Sequence, residues 1–473
     1  MKFIILGAGL SGLTCGATLK RYGHDVSIVE KESVVGGLAR SYRVHGYTFD
    51  YGPHFLFGDK VFHLIQEQYP AIALKRVEST KEKMFFANKY FNFPFDPKNI
   101  LLHMDKKYVP GVLLELFIKS MLRQNNSNGS QCVEDWVIQA VGRRIYEYIS
   151  LGGYVKKLYG LPPTEISDEW GIQKLKFLAK WRDANLIELI TKAFSEGGNV
   201  KKRFIHYPSG GIDHIPIMIS EVFRSLGGEI LLNSETVSVG YRKDGVSVTV
   251  KKDGEEYQLD GDFLISTIPI THLIRMLSPS PPFEVNNKAR SLRYRTLLLL
   301  YLCIGKEAAL KYGCIYFTED RFLFRRLTEF KHLDKAMSPE GKTSLCVEIT
   351  CFENDEIHRM DKDEVSRIVV EQLERGGFIL GNDVEGVHLL RIPYAYPVYG
   401  INSRLVLDEV MTYLGSLDRL VSIGRQGLFF YNAMNSSIIM GSHLSERLAV
   451  TDVSRRKEII RGVYNDRRRK YTD

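Results

Sequence analysis

The chain opens on a short apolar run, Phe3 to Leu6, bounded by glycines and followed by apolar positions at helical spacing. That pattern predicts strand, turn and helix over KFIILGAGLSGLTCGATLKRYG, with a second strand, DVSIVE, ending at Glu30. Farther on, EILLNSETVSVGYRKDGVSVTVKKDGEEYQLDGDFLISTIP reads as strands joined by Asp-Gly turns and closing on an apolar strand. VPGVLLELFIKSMLRQ and VEDWVIQAVGRRIYEYI predict helices, with the polar stretch QNNSNGS (124–130) as a loop between them. TLLLLYLCIG, CIYFTED and KTSLCVEITCF predict strands around a helix at DEVSRIVVEQLERG. Near the end, LDRLVSIGRQGLFFYNAMNSSIIMGSHLSERL predicts a strand into Gly424 and Arg425, then a helix beginning around Ser436.

These elements make an α/β protein, and 473 residues exceed one compact core, so two or three substructures are expected. Apolar residues at 44% and charged residues at 25% describe an ordinary globular protein. The net charge of +8 suits anionic ligands but is too diffuse to argue for nucleic acid. The dense basic run RRKEIIRGVYNDRRRKYTD reads as a solvated tail. Six cysteines (Cys15, Cys132, Cys303, Cys314, Cys346, Cys351) show no C-x-x-C and no metal spacing, which fits reduced thiols in a cytoplasmic protein and no metal site. LLLLYLCI at 297–304 is too short to span a bilayer, so no integral membrane segment is expected.

The candidate chemistry starts at the first turn. Gly7, Gly9 and Gly12 fit G-x-G-x-x-G between a strand and a helix. Glycines there permit a tight turn, and the helix N-terminus presents N–H groups to a pyrophosphate. Glu30 falls where a carboxylate would bind a ribose hydroxyl pair. Gly7, Gly9, Leu10, Ser11, Gly12, Glu30 and Lys31 are therefore candidate dinucleotide contacts.

The next segment, with Gly36, Gly37, Leu38, Ala39 and Arg40, resembles the G-G-x-x-(R/S) stretch of the flavoprotein amine oxidase superfamily. That resemblance implies FAD rather than NAD, with Arg40 supporting the diphosphate. It also implies a discontinuous Rossmann-type (GR2-like) FAD-binding domain over 1–75, 203–275 and 418–473, a helical domain over 97–200 and an antiparallel-sheet substrate domain over 278–415. Thr236-Val237 lies where the superfamily's backbone meets the adenine, and Gly424, Arg425, Asn435, Ser436 and Ser437 lie where the flavin edge meets a helix N-terminus.

Within the superfamily, DYGPHFLFGDKVF, KYFNFPFDPKN, VEDWVIQAVG, GGYVKKLYGLPPTEISDEW, HYPSGGI and IGRQGLFFYNAMN are similar to segments of the UDP-galactopyranose mutases and the protoporphyrinogen-oxidase-like proteins. The mutase resemblance implies that Tyr316, Arg325, Tyr396, Tyr431 and Asn435 hold a nucleotide-diphosphate sugar, with Tyr159 bordering the nucleotide. Lys174 stands where that branch has a second diphosphate arginine, so the charge is kept without the bidentate fork. Strand alternation directs only one of Arg325 and Arg326 inward. The activity implied is pyranose/furanose isomerisation in polysaccharide biosynthesis, with N5 of the reduced flavin as nucleophile. An electron donor such as NAD(P)H would prime it, and a homodimer is left open. The alternative is hydride transfer to FAD from a sugar, an amine or another small substrate.

FDYGPHFLFGD (49–59) is placed by the same resemblance beside the isoalloxazine. His54 then tunes the flavin, meets a sugar hydroxyl, or packs on the ring. Pro53 replaces the second glycine of the mutases' G-G-H, which fixes φ and removes an N–H, so the loop's freedom is reduced.

Overall fold

The computed structural model describes residues 1–78, 82–94, 97–121, 131–175, 178, 204–451 and 456–470. The predicted loop 124–130 lies outside them, as does the side chain of Lys174, the last residue of the helix Asp168–Lys174. The chain divides into two compact units. One comprises Met1–Val77, Phe204–Arg293 and Arg404–Asp473; the other comprises Glu78–Arg203 and Tyr294–Ser403.

The first unit is built on five parallel strands in the order Glu229–Leu231, Asp25–Val29, Lys2–Leu6, Phe263–Ser266, Leu420–Ser422. The three inner strands are apolar almost throughout, as a parallel sheet covered on both faces requires. The helix Leu10–Arg21 leaves the first strand and crosses the long C-terminal helix Met434–Val450 at very close range. A Cβ on Gly441 would lie 2.8 Å from the Ser11 carbonyl oxygen, and Ser11 Oγ donates to the Ser437 carbonyl at 3.1 Å. A second sheet in this unit orders Glu255–Gly261, Val246–Lys252, Glu235–Tyr241 and Leu277–Ser278.

The second unit is built on seven strands in the order Val384–Pro397, Tyr294–Ile304, Thr343–Cys351, Arg326–Glu329, Cys314–Phe317, Glu82–Phe86, Lys89–Asn92. All neighbours pair antiparallel except Cys314–Phe317 with Glu82–Phe86, which run parallel. Leu298, Leu300, Leu302, Val347, Ile349, Phe317 and Phe324 form its core with the helix Lys362–Arg375 laid across.

The predicted helical and sheet segments thus share one unit, and residues 278–293 and 404–415 group with the first. The reason is local. The strands Glu82–Phe86 and Lys89–Asn92 extend the sheet, and the helix Leu151–Tyr159 sits so close to it that a Cβ on Gly153 would be 2.3 Å from the Thr318 carbonyl oxygen.

Candidate functional site

In the first unit the turn after the leading strand is shaped by glycines. Gly7 has φ +96, and its N–H donates to the Val29 carbonyl at 2.8 Å, tying the turn to the second strand. A Cβ on Gly12 would lie only 2.0 Å from the Gly7 carbonyl oxygen, so the helix begins pressed against the turn. Gly9 is the helix N-cap, and the first turn, with Leu10, Ser11 and Gly12, carries no acidic residue, so nothing competes there for the N–H groups. Gly37 comes back against Gly9: a Cβ on Gly37 would stand 3.2 Å from the Gly9 Cα, and the Gly36 N–H donates to the Ala8 carbonyl.

Glu30 is buried beside this turn. Its carboxylate accepts from the Ala8 N–H at 2.7 Å and the Glu32 N–H at 3.0 Å, which orients it while leaving acceptor lone pairs on both oxygens. Lys31 is exposed and pairs with Glu32 at 3.6 Å. Arg40 donates through Nε to the Gly37 carbonyl at 2.8 Å and lies over the Tyr51 ring, so its guanidinium is already fixed to the glycine loop. Leu38 and buried Ala39 complete that loop, with the Ala39 N–H donating to the Gly36 carbonyl.

Val237 occupies a register shift between Thr236 and Ser238, where an extra residue takes the strand backbone out of the ladder. Gly424, at φ +80, approaches Ser11: a Cβ there would be 3.0 Å from its Oγ. The helix predicted near Ser436 starts at Met434, so Asn435, Ser436 and Ser437 form its opening turns. A glycine cradle that any Cβ would fill, an oriented carboxylate and two converging helix N-termini fit a dinucleotide such as FAD.

FDYGPHFLFGD is anchored from both ends. Asp50 is fully buried and accepts from Tyr207 Oη (2.6 Å), Ser41 Oγ (2.7 Å) and the Ile212 N–H (3.0 Å). Burial pushes its carboxyl up to about 6 against those donors. At the other end, Asn435 clamps Phe57: its Oδ1 accepts from the Phe57 N–H at 3.2 Å, and its Nδ2 donates to the Phe57 carbonyl. Between them, His54 Nδ1 lies 2.9 Å from the Gly52 carbonyl. A carbonyl only accepts, so Nδ1 carries the proton and, in the neutral ring, Nε2 is the acceptor nitrogen. Pro53 stands between Gly52, at φ +90, and His54. Arg425 lies over the Tyr431 ring at 4.5 Å and donates to the Asn432 carbonyl, which places Tyr431 at the head of the same helix.

The second unit gathers a different set. Arg325 is 1% exposed; its Nη2 donates to Glu348 Oε2 at 2.6 Å and to Tyr396 Oη at 2.5 Å. Arg326 bonds the other oxygen of Glu348 through Nε and lies over the Tyr316 ring at 5.6 Å. Both arginines therefore turn to one carboxylate, contrary to the alternation expected: Arg326 stands opposite Glu348 in the ladder, and the adjacent Arg325 bonds the Glu348 carbonyl through its own N–H at 3.0 Å. Burial opposes the Arg325 charge, but Tyr396 and Glu348 outweigh it and hold its pKa above the usual value. Both guanidiniums share the Glu348 carboxylate, Glu82 places a second carboxylate near Tyr316, and Arg325 Nε and Nη1 find no hydrogen-bond partner among the described residues.

Tyr316 stacks on Phe93 (4.0 Å between centroids) with Tyr154 at its edge. Burial raises its phenol well above the ordinary value, so it is a donor hydroxyl throughout the physiological range. Tyr396 sits beyond Tyr394, whose φ is +56 where the ladder shifts register, a bulge that re-aims the strand's end. Tyr159 is fully buried against Tyr399. Lys174 ends its helix, and its side chain lies outside the described residues.

Two residues not singled out above complete this cluster. Glu348 is the lone acid in the buried strand TSLCVEITC, a signal that a buried cation must face it. Lys157 in GGYVKKLYG donates to the carbonyls of Phe317 (3.4 Å), Glu319 (2.5 Å) and Phe324 (3.3 Å), and so closes the loop that joins Tyr316 to Arg325.

These features define a flavin-type dinucleotide-binding protein with a separate sheet unit. Its sequence matches the flavin-containing amine oxidoreductases over residues 10–421, and the chain belongs to that family, whose cofactor is FAD. It is 25% identical over 406 residues to a 4,4'-diapophytoene desaturase from Methylomonas sp, covering 74% of this chain and 73% of that one. It is 24% identical over 313 residues to an inactive all-trans-retinol 13,14-reductase from Danio rerio, covering 59% of this chain and 49% of that one. The structure of reduced UDP-galactopyranose mutase superposes with a TM-score of 0.79 at 20% identity, covering 96% of this chain and 98% of that one. The fold is thus shared with a mutase, while the sequence relatives are named as redox enzymes. No helix among the described residues is long and apolar enough to cross a membrane.

Proposed function

We propose that this flavoenzyme acts on a nucleotide-diphosphate sugar, interconverting its pyranose and furanose forms. The observation that carries the reading is Arg325, a buried guanidinium with two donor nitrogens unpartnered among the described residues, set beside tyrosine hydroxyls. Buried donors without acceptors cost about 1–3 kcal/mol each, a cost that a phosphate oxygen removes. In this reading Arg325 and the hydroxyls of Tyr316 and Tyr396 take the leaving diphosphate, while Tyr159 borders the base. Bound and reduced, for example by NAD(P)H, the flavin supplies the nucleophile at N5. The protein contributes orientation and charge.

The test is to reduce the purified protein without oxygen, add UDP-galactose and other nucleotide sugars in turn, and analyse for a furanose product. Net substrate oxidation with flavin bleaching, and no isomer from any nucleotide sugar, sinks the reading. A second reading, hydride transfer to flavin from an apolar substrate, is favoured by the desaturase likeness over most of both chains. It predicts bleaching by a polyene and none of the isomer.

Lys157 yields a further expectation. Burial pushes its ammonium down to about 8, so its charge fades where the carbonyls of Phe317, Glu319 and Phe324 need it. UDP affinity should fall as pH rises through about 8, and Lys157→Met should lower it about tenfold at neutral pH and flatten that profile. Global stability should not fall over the same range. The unfolded lysine binds more protons between pH 8 and its ordinary value, so the linkage raises stability as pH climbs. Titration of UDP across pH, beside thermal unfolding, separates the two effects.

A further inference from the structure

The helix Val109–Met121 is amphipathic in the inverted sense. Its polar side chains turn inward: Glu115 accepts from the Arg143 and Arg144 N–H groups at 2.7 and 3.0 Å, and Lys119 donates to the Ala140 carbonyl at 2.8 Å. Val112 and Leu116 are buried, but Leu113, Leu114, Phe117, Ile118 and Met121 are exposed, Leu114 at 58% and Met121 at 70%. Those five lie at i, i+1, i+4, i+5 and i+8, so they form one continuous outward face. Spread singly such residues mean nothing; a contiguous apolar face marks an interaction surface.

Its surroundings say of what kind. Lys106 and Lys107 are exposed at the head of the helix, with Lys107 over the ring of exposed Tyr108. Arg144 is exposed too, its guanidinium against Gly111, close enough that a Cβ there would lie 2.8 Å from Nη1. The nearby acids are engaged: Asp105 pairs with Lys89, Glu115 holds two backbone N–H groups, and Glu147 faces Arg143 at 4.0 Å. An apolar face edged by cations and a tyrosine is the chemistry of a helix lying in a lipid headgroup layer. At roughly 1.5 Å per residue its 13 residues are too short to span a bilayer.

We propose that this face seats the protein on the surface of an anionic phospholipid membrane, with Leu114, Phe117 and Met121 inserted and Lys106, Lys107 and Arg144 on the headgroups. The choice of lipid over a second copy of the chain rests on the cationic edge, because two copies would bring like charges together.

The test uses the full-length, flavin-loaded protein with vesicles of phosphatidylcholine alone or mixed with phosphatidylglycerol, read by co-sedimentation. Binding to the mixed vesicles should be at least about tenfold tighter than to phosphatidylcholine, since each cation near an anionic surface contributes on the order of a fivefold factor. The pair L114E/F117E should abolish binding with flavin content unchanged. K106E/K107E, which leaves the apolar face intact, should weaken it about tenfold or more. Absence of sedimentation with either vesicle overturns the proposal. So does a dimer in size-exclusion chromatography with light scattering that L114E/F117E dissolves, because a second copy then covers the face.

Discussion

Gly12→Ala is expected to purify nearly free of flavin, with affinity for added FAD reduced about a hundredfold or more. The added methyl would lie 2.0 Å from the Gly7 carbonyl oxygen, 3.2 Å from its carbon and 3.3 Å from Ile5 Cγ2, so no rotamer relieves the clash. Gly7 has little room to retreat, being held at φ +96 and bonded to the Val29 carbonyl. The helix start must therefore back away from the turn, taking with it the N–H groups that would meet the pyrophosphate. The fold should lose about 1–3 kcal/mol, the usual cost of overpacking, and survive. Gly462→Ala is the matched control. It lies in the helix Arg456–Lys470 with nothing within 4 Å of a built Cβ, so it should keep its flavin and gain up to about 1 kcal/mol. Flavin absorbance per protein and thermal unfolding read both effects. Full flavin occupancy in Gly12→Ala would show that this turn is not the pyrophosphate seat.

The first unit was legible because its signals are local. A strand, three glycines, a helix and an acid at set spacing are all backbone requirements, and backbone requirements choose residue types directly. Val237 and Gly424 were placed by the resemblance to the superfamily and not by a local rule; the structure has one at a ladder irregularity and the other at a positive φ. The second unit was less legible because its chemistry is assembled from partners far apart in sequence. Glu348 meets Arg325 across 23 positions and Tyr396 meets it across 71, and no periodicity joins such residues. Lys157 was hidden in a helix whose pattern accounts for its apolar neighbours only. Strand alternation would send one of Arg325 and Arg326 away from the cluster, yet both reach Glu348. The outward apolar face of Val109–Met121 was likewise invisible, since hydrophobic spacing reports that a face exists and not which way it turns.

Arg325 carries the other large expectation. Arg325→Met should reduce UDP affinity about thirtyfold or more, because truncating a buried, hydrogen-bonded charge costs about 2–5 kcal/mol of binding. Arg325→Lys should recover only part of it, since an ammonium cannot present two parallel N–H groups to a phosphate. Neither result alone excludes a merely structural arginine, because Glu348 would also lose a partner. Arg326 still holds the other oxygen of that carboxylate, so the stability cost should sit at or below the low end of the roughly 3–5 kcal/mol expected when a buried pair is broken. Glu348→Gln separates the two roles. It removes the carboxylate that competes with an incoming phosphate and leaves two guanidiniums without their shared counter-charge. The free protein should become less stable while UDP binds more tightly, so the two quantities move in opposite directions. A hundredfold loss of affinity cuts ligand stabilisation from about 2.7 to about 0.4 kcal/mol at a ligand concentration of a hundred times the original Kd, well within what thermal unfolding with and without UDP resolves. If Glu348→Gln and Arg325→Met both lower stability and leave UDP affinity where it was, the pair is an internal brace of the sheet and the diphosphate reading is lost.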